Sequence, residues 1–298
     1  MLEAPNASTT RAGLSEASTL SFSKYEGLGN DFIVVEQVSE LSAHDAGFLC
    51  DRRHGVGADG VLLVDQDRGH TRMRVFNADG SQPEMCGNGI RCVALHQLRK
   101  SERASLDLEI QTASGLHRCI AEAEGTRRVG RIEVFMRPAS LTPKDLPLYS
   151  DEPWIGFPLE IQGHQLSMTA VSMGNPHIVT FDAIDENLRS VLGPLLQTHP
   201  ALPLGANVGF ASWQPEQRAI TLYVFERGSG WTLACGTGAC AAAVAAVETQ
   251  RIPRGSDIPV DLPGGRLWVH VGNKQEAVRM AGPARHVFDG MIAIDEVR

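Results

Sequence analysis

Leu233-Ala-Cys-Gly-Thr-Gly-Ala-Cys-Ala-Ala-Ala-Val-Ala-Ala-Val247 reads as a buried helix with a thiol at its mouth. After Gly238 nearly every side chain is small and apolar on all faces, and a helix apolar all round is normally enclosed by the rest of its domain. The chemistry belongs to its start. A first helical turn has N–H groups without intrahelical partners and the positive end of the dipole, so Gly236, Thr237 and Gly238 can present amides to an anion. Cys235 stands beside that end. A free thiol has a pKa of about 8.5, and a helix N-terminus can lower it to roughly 3.5–7.5, which would make Cys235 a base or nucleophile near neutrality. A buried structural cysteine is the other reading of this stretch taken alone.

The pattern occurs twice. Glu84-Met-Cys-Gly-Asn-Gly-Ile-Arg-Cys-Val-Ala-Leu-His-Gln-Leu98 is again a Cys-Gly-x-Gly opening a helical pattern, and Cys86 and Cys235 lie 149 positions apart. A strand-like run ending in a polar turn precedes each: Met73-Arg-Val-Phe-Asn-Ala-Asp-Gly80 and Leu222-Tyr-Val-Phe-Glu-Arg-Gly228, with Phe76 and Phe225 also 149 apart. Further back, Gly29-Asn-Asp-Phe-Ile-Val34 resembles Gly174-Asn-Pro-His-Ile-Val179 at an offset of 145. One architectural unit is therefore present in two copies, a pseudo-twofold pair able to face two helix mouths across one cleft.

A length of 298 residues suits two domains, each large enough for its own core. The net charge of −8 and the scattered Lys and Arg argue against nucleic-acid binding. No apolar run approaches the roughly 18 residues that span a bilayer, so no membrane role is expected. Six cysteines without a signal peptide suggest reduced thiols and a cytoplasmic protein. Residues 1–21, rich in Ser, Thr and Ala and lacking an apolar core segment, read as a disordered extension. An N-terminal domain carrying Cys86 is expected over 22–140, with strands at Phe32 to Val38, Gly60 to Val64, Thr71 to Phe76, Leu106 to Ile110, Leu116 to Glu122 and Ile132 to Met136, and a helix at Ala43 to Cys50. Pro138, Pro143, Pro147, Pro153 and Pro158 punctuate the segment between the halves, and a linker is expected over 141–165. A C-terminal domain carrying Cys235 follows over 166–298, with strands at Ser167 to Val171, Ile178 to Phe181 and Ala219 to Phe225, and a helix near Leu188 to Leu196. Ile258 to Leu262 and Arg266 to Val271 form a hairpin turned at Pro263-Gly-Gly265, and Val278 to Ala281 and His286 to Ile294 close the sheet. The plan is strand-rich with one central helix per domain.

Three common chemistries do not fit. Gly55-Val-Gly-Ala-Asp-Gly60 precedes a strand, where a dinucleotide fingerprint follows one, so it reads as a glycine-rich turn. Cys86, Cys92, Cys235 and Cys240 lack zinc-site spacing, and no metal is expected. The four lysines, Lys24, Lys100, Lys144 and Lys274, offer no Schiff-base setting, and Lys24 reads as a surface charge. Two thiols at two anion-binding mouths suit the inversion of a carbon bearing a carboxylate. Cys86 and Cys235 would act as one thiolate and one thiol, one removing the α-proton and the other returning a proton to the opposite face. The amides of Gly87, Asn88, Gly236 and Thr237 are the natural donors to the carboxylate.

The chain resembles diaminopimelate epimerase from about Phe22 onward. The resemblance rests on Gly27-Leu-Gly-Asn-Asp-Phe32, Gly55-Val-Gly-Ala-Asp-Gly60, Phe76-Asn-Ala-Asp-Gly-Ser81, Glu84-Met-Cys-Gly-Asn-Gly-Ile-Arg-Cys92, Met173-Gly-Asn-Pro-His177, Asn207, Glu226-Arg-Gly228 and Ala234-Cys-Gly-Thr-Gly-Ala-Cys240. It implies a mixed α/β (α+β) fold of two pseudo-symmetric domains, each a curved, mostly antiparallel sheet around a central helix, and a homodimer. It implies an enzyme that needs no cofactor, interconverts LL- and meso-diaminopimelate for lysine and peptidoglycan precursors, and uses Cys86 and Cys235 as its acid/base pair. Asn30, Asn77, Asn175, Asn207, Glu226 and Arg227 would hold the substrate's distal ammonium and carboxylate, and His177 would line the cleft. Two positions depart from the family: Trp231 stands where many members have glutamate, and Gly60 where some have glutamine. A racemase of another amino acid and a thiol redox protein are the alternative readings.

Overall fold

A computed structural model of the protein describes residues 18–36, 40–67, 69–125 and 128–294. Most of the expected extension therefore lies outside the described residues, and positions 18–21 open the first strand. The N-terminal half runs β1 (Ser18–Gly27), β2 (Asn30–Val35), α1 (Ala43–Cys50), β3 (Gly60–Asp67), β4 (His70–Asn77), α2 (Gly87–Ser101), β5 (Ser105–Thr112), β6 (Gly115–Glu124) and β7 (Val129–Phe135). After β8 (Phe157–Ile161), the same plan returns as β9 (His164–Ser172), β10 (Pro176–Thr180), α3 (Glu186–Gln197), β11 (Asn207–Gln214) and β12 (Ala219–Glu226). It finishes with the short β13 (Gly230–Thr232), α4 (Gly236–Glu248), β14 (Asp257–Leu262), β15 (Gly265–His270) and the long β16 (Arg279–Ile294). The segment expected as a linker thus includes β8, an edge strand that tolerates Pro158, and the first residues of β9.

The strands join in the order β1-β2-β3-β4-β5-β6-β7-β16-β15-β14-β12-β11-β10-β9-β8, with β13 beside β12. A further β1–β16 pairing closes β1 to β7 and β16 into a ring around α2. In the other half, strands β9 to β12, β14, β15 and β16 wrap α4, and a bridge between Ser140 and Ser172 ties β9 back to the segment after β7. Most pairs are antiparallel. The parallel ones, β2–β3, β4–β5, β10–β11 and β12–β14, are those that a helix connects, as parallel pairing requires a crossover. Each half therefore has one crossover helix outside its sheet, α1 or α3, and one inside, α2 or α4.

This layering explains the sequence patterns. Val61-Leu-Leu-Val64 is apolar throughout because Leu62 and Val64 face α2 while Val61 and Leu63 pack with Leu49 and Cys50 of α1. In β4, Met73 and Val75 are buried and Arg72 and Arg74 alternate with them, as the periodicity predicts. Residues 239–246 of α4 are buried on every face, and its alanines let the sheet close tightly around it. The central helices start at the junction of the two halves, where the site lies.

Candidate active site

Cys86 and Cys235 are the N-cap residues of α2 and α4, with nearly identical backbones: φ −134, ψ 108 and φ −130, ψ 106. The two helices meet end to end. A Cβ on Gly87 would lie 3.2 Å from the Gly236 Cα, and one on Gly236 would lie 3.2 Å from the Gly87 Cα and 3.0 Å from the Met280 sulfur. A side chain at either position would force the facing helix start or the Met280 side chain to give way, so the two glycines allow the close approach. The Cys86 Sγ accepts the Gly89 amide at 3.3 Å, and the Cys235 Sγ lies 3.6 Å from the Thr237 hydroxyl. Cys235 is buried and Cys86 partly so.

Burial pushes both thiols up, not down. For Cys86 it outweighs the amides of Gly89 and Asn88. For Cys235 burial comes first and the adjacent Glu226 carboxylate adds to it, together outweighing help from Thr237 and the Gly238 amide. The expectation that the helix mouth depresses the thiol is corrected: removing sulfur from water costs its anion more than the dipole returns.

Around Cys235 a continuous polar chain forms. Asn175 donates its Nδ2 to the Thr237 hydroxyl at 3.4 Å, and its Oδ1 lies 3.1 Å from His177 Nε2, which also stands 3.5 Å from Asn207 Nδ2. His177 is buried and its pKa is pushed down to about 3, chiefly by burial and then by Arg227, so the ring is neutral. Asn207 donates to the Pro176 carbonyl at 3.2 Å and accepts the Arg227 backbone N–H at 2.8 Å. Glu226 accepts from the Thr232 hydroxyl and lies against the Cys235 thiol, and burial raises its carboxyl. The Arg227 guanidinium donates to the Leu204 carbonyl at 2.8 Å, so Glu226 and Arg227 have separate partners.

On the Cys86 side, Asn88 is buried and donates to the Ala234 carbonyl at 3.0 Å and to Asn30 Oδ1 at 3.2 Å, joining the two halves. Asn30 in turn donates to Asp59 at 2.7 Å. Asn77, at the end of β4 and across Gly60 from β2, donates to Ser81 at 2.9 Å. Lys24 is not a surface charge. It is buried, pairs with Asp31 at 2.7 Å and donates to the Gly57 carbonyl, while Arg52 bridges Asp31 and Asp59.

The structure brings Cys86, Gly87, Asn88, Cys235, Gly236 and Thr237 together at one junction, with Asn30, Asn175, Asn207 and Glu226 tied to it by hydrogen bonds. Arg227 joins through its backbone N–H to Asn207, and the side-chain hydrogen bond of Asn77 goes to Ser81. Gly60 leaves no room for a side chain, since a Cβ would lie 2.8 Å from the Phe76 carbonyl. Trp231 packs against Phe210, Phe225 and Arg189, outside the thiol junction, and fixes the β12–β13 turn. Sequence reasoning passed over two residues here. Thr232 carried no signal. Arg91 did: it is a lone cation in an otherwise apolar stretch of α2, and it is fully buried.

The fold and its repeat have counterparts among known proteins. The family profile described as diaminopimelate epimerase matches twice, at residues 22–141 and 169–287. The diaminopimelate epimerase of Desulforudis audaxviator (strain MP104C) is 45% identical over 279 residues, covering 91% of this chain and 98% of that protein. That of Thioalkalivibrio sulfidiphilus (strain HL-EbGR7) is 41% identical over 286 residues, covering 92% and 99%. Among solved structures, a hydroxyproline epimerase from Agrobacterium vitis with bound trans-4-hydroxy-L-proline superposes with a TM-score of 0.69 at 15% identity, covering 94% of each chain. A phenazine biosynthesis protein of Bacillus anthracis gives 0.68 at 16% identity, covering 93% and 100%. These two share the fold; the closer sequence relatives and the doubled profile match decide the lineage, and the chain belongs to the diaminopimelate epimerase family.

Proposed function

We propose that this enzyme interconverts LL- and meso-diaminopimelate without a cofactor, by proton transfer between the substrate's α-carbon and two thiols. The observation that carries this reading is the end-to-end meeting of two helices, each capped by a cysteine in the same conformation. One sulfur, as thiolate, takes the α-proton from one face. The electron pair remains on the α-carbon and its carboxylate, and the other thiol gives its proton to the opposite face. The pair thus ends with its protons exchanged, ready for the reverse reaction. The first-turn amides of Gly87, Asn88, Gly236 and Thr237 hold the carboxylate and stabilise its growing charge. At the distal centre, Arg227 suits the carboxylate and Glu226 the ammonium, with Asn30, Asn77, Asn175 and Asn207 completing the pocket. The family supports a homodimer acting in the cytoplasm, in the formation of lysine and peptidoglycan precursors.

Proton NMR of LL-diaminopimelate with the reduced protein in D₂O, with no added cofactor, tests this. Loss of the α-proton signal with formation of the meso isomer is expected, and C86S and C235S should each lower epimerisation at least 100-fold. No exchange under reducing conditions would sink the diaminopimelate reading and direct the assay to histidine, lysine and other amino acids.

A further inference from the structure

Arg91 is fully buried, yet among the described residues the hydrogen bonds of its guanidinium go to uncharged oxygens. Nη1 donates to the Gly87 carbonyl at 2.9 Å, Nη2 to Asn88 Oδ1 at 3.0 Å and Nε to the Pro283 carbonyl at 3.2 Å. Glycines make its chamber: a Cβ on Gly27 would lie 3.2 Å from Nη2, and one on Gly282 3.4 Å from Nε. A buried cation facing only neutral acceptors is expensive to keep. Its place gives the reason, since it grips the two residues that follow Cys86.

The repeat sharpens the point. At the offset of 149 that relates Cys86 to Cys235, Arg91 corresponds to Cys240, and Asn77 corresponds to Glu226. The backbones of the two mouths match, but their charges do not: the Cys86 side has a fully buried cation and a neutral amide, and the Cys235 side has a carboxylate against the thiol, its cation being the exposed Arg227 that donates to the Leu204 carbonyl. The titratable groups that bear on these positions are Cys92 and Cys86 from α2 and its cap, Cys240 from α4, Glu26 from β1, and Glu226 from β12. Glu226 opposes charge on both thiols and lies in contact with Cys235.

We propose that the two thiols are unequal in the substrate-free enzyme: Cys86 is the one that ionises first, with Arg91 as its positioning residue and buried counter-charge, and Cys235 stays protonated beside Glu226. This rests on the two-thiol reading, but its test does not require turnover. The protein without substrate is alkylated with iodoacetamide across a range of pH, and Cys86 and Cys235 are read separately by peptide mass spectrometry. Cys86 is expected to react with a midpoint at least one pH unit below that of Cys235. Arg91→Gln should raise the Cys86 midpoint by about one unit and leave Cys235 in place. Arg91→Lys, which keeps the charge, should restore most of the shift. Glu226→Gln should lower the Cys235 midpoint, and this comparison stands even if Arg91→Gln does not fold. Ionisation of Cys235 first, or an unmoved Cys86 midpoint in folded Arg91→Gln, would overturn the proposal. Absence of α-proton exchange in the NMR experiment, with the alkylation order as stated, would instead reject the substrate and leave the asymmetry intact.

Discussion

Lys24, Asp31 and Arg52 show how charge holds the rim beside Asn30. Burial raises the Asp31 carboxyl, but hydrogen bonds from Arg52 and Lys24 outweigh it and hold the group well below the usual carboxylate range. Such a depressed carboxylate stabilises the fold above its unfolded value of about 3.9, and the contribution fades as pH falls toward the folded value. Asp31→Asn leaves Lys24 buried without its charge partner and should cost about 3 kcal/mol at pH 7, with the exposed Arg52 contributing little of it. The difference from wild type in urea midpoint should shrink as pH is lowered below about 4, where Asp31 of the unfolded chain begins to take up a proton while the folded carboxylate stays charged. A constant difference down to the lowest pH tolerated would show that the carboxylate charge is not what matters. At this scale the sequence was partly legible. The thiols stood out because the repeat aligned them, whereas Lys24 and Arg91 passed unread as working groups because lysine and arginine are seldom fully buried.

The meeting of α2 and α4 belongs to the scale of elements, because neither helix alone fixes where its thiol lies. Gly236→Ala must displace either the Gly87 backbone or the Met280 sulfur, both within 3.2 Å of the new methyl group. The displacement required is small, so kcat should fall, by less than the roughly 100-fold that a 1 Å misplacement at a reacting site costs. Overpacking should cost roughly 1–3 kcal/mol. A variant with wild-type kcat and unchanged urea midpoint would show that the junction is looser than its geometry implies. Helix α1 spans Ala43–Cys50 as read from sequence, and the hairpin of β14 and β15 turns at Pro263 and Gly264. Strand β16 was less legible, since Gly282-Pro283 reads as a break. The strand continues because Pro283 pairs only with β7 there, in the gap where β16 leaves β15 and has not yet met β1. A missing N–H costs nothing at that point. Strand β11 was also missed, as Gly209 interrupts its apolar run; the glycine admits Val179 and Leu222, 3.3 and 3.4 Å from where its Cβ would be.

For the whole molecule, the two-copy plan was readable from aligned cysteines, phenylalanines and Gly-Asn pairs, and the doubled family match reports the same repeat. What no local pattern could disclose is that β16 serves both halves. It pairs with β15 and β7, then passes on to complete the ring around α2 along β1. A fragment of residues 18–140 therefore lacks the strand that joins β1 to β7, and two open edges with half-covered apolar faces should make it aggregate. Co-expression with residues 141–298 should return soluble protein in a one-to-one complex on gel filtration. A soluble, cooperatively unfolding 18–140 fragment would show instead that the first ring closes by itself.

The pairing of Ser18 with Ile294 joins positions 276 residues apart. At synthesis rates of about 5–20 residues per second, on the order of ten seconds to a minute separates the emergence of β1 from that of its partner. Through that interval the first half waits on the ribosome with its ring unclosed, its edge available to any other nascent strand. Slow, long-range closure of this kind is a task for which a chaperone is useful.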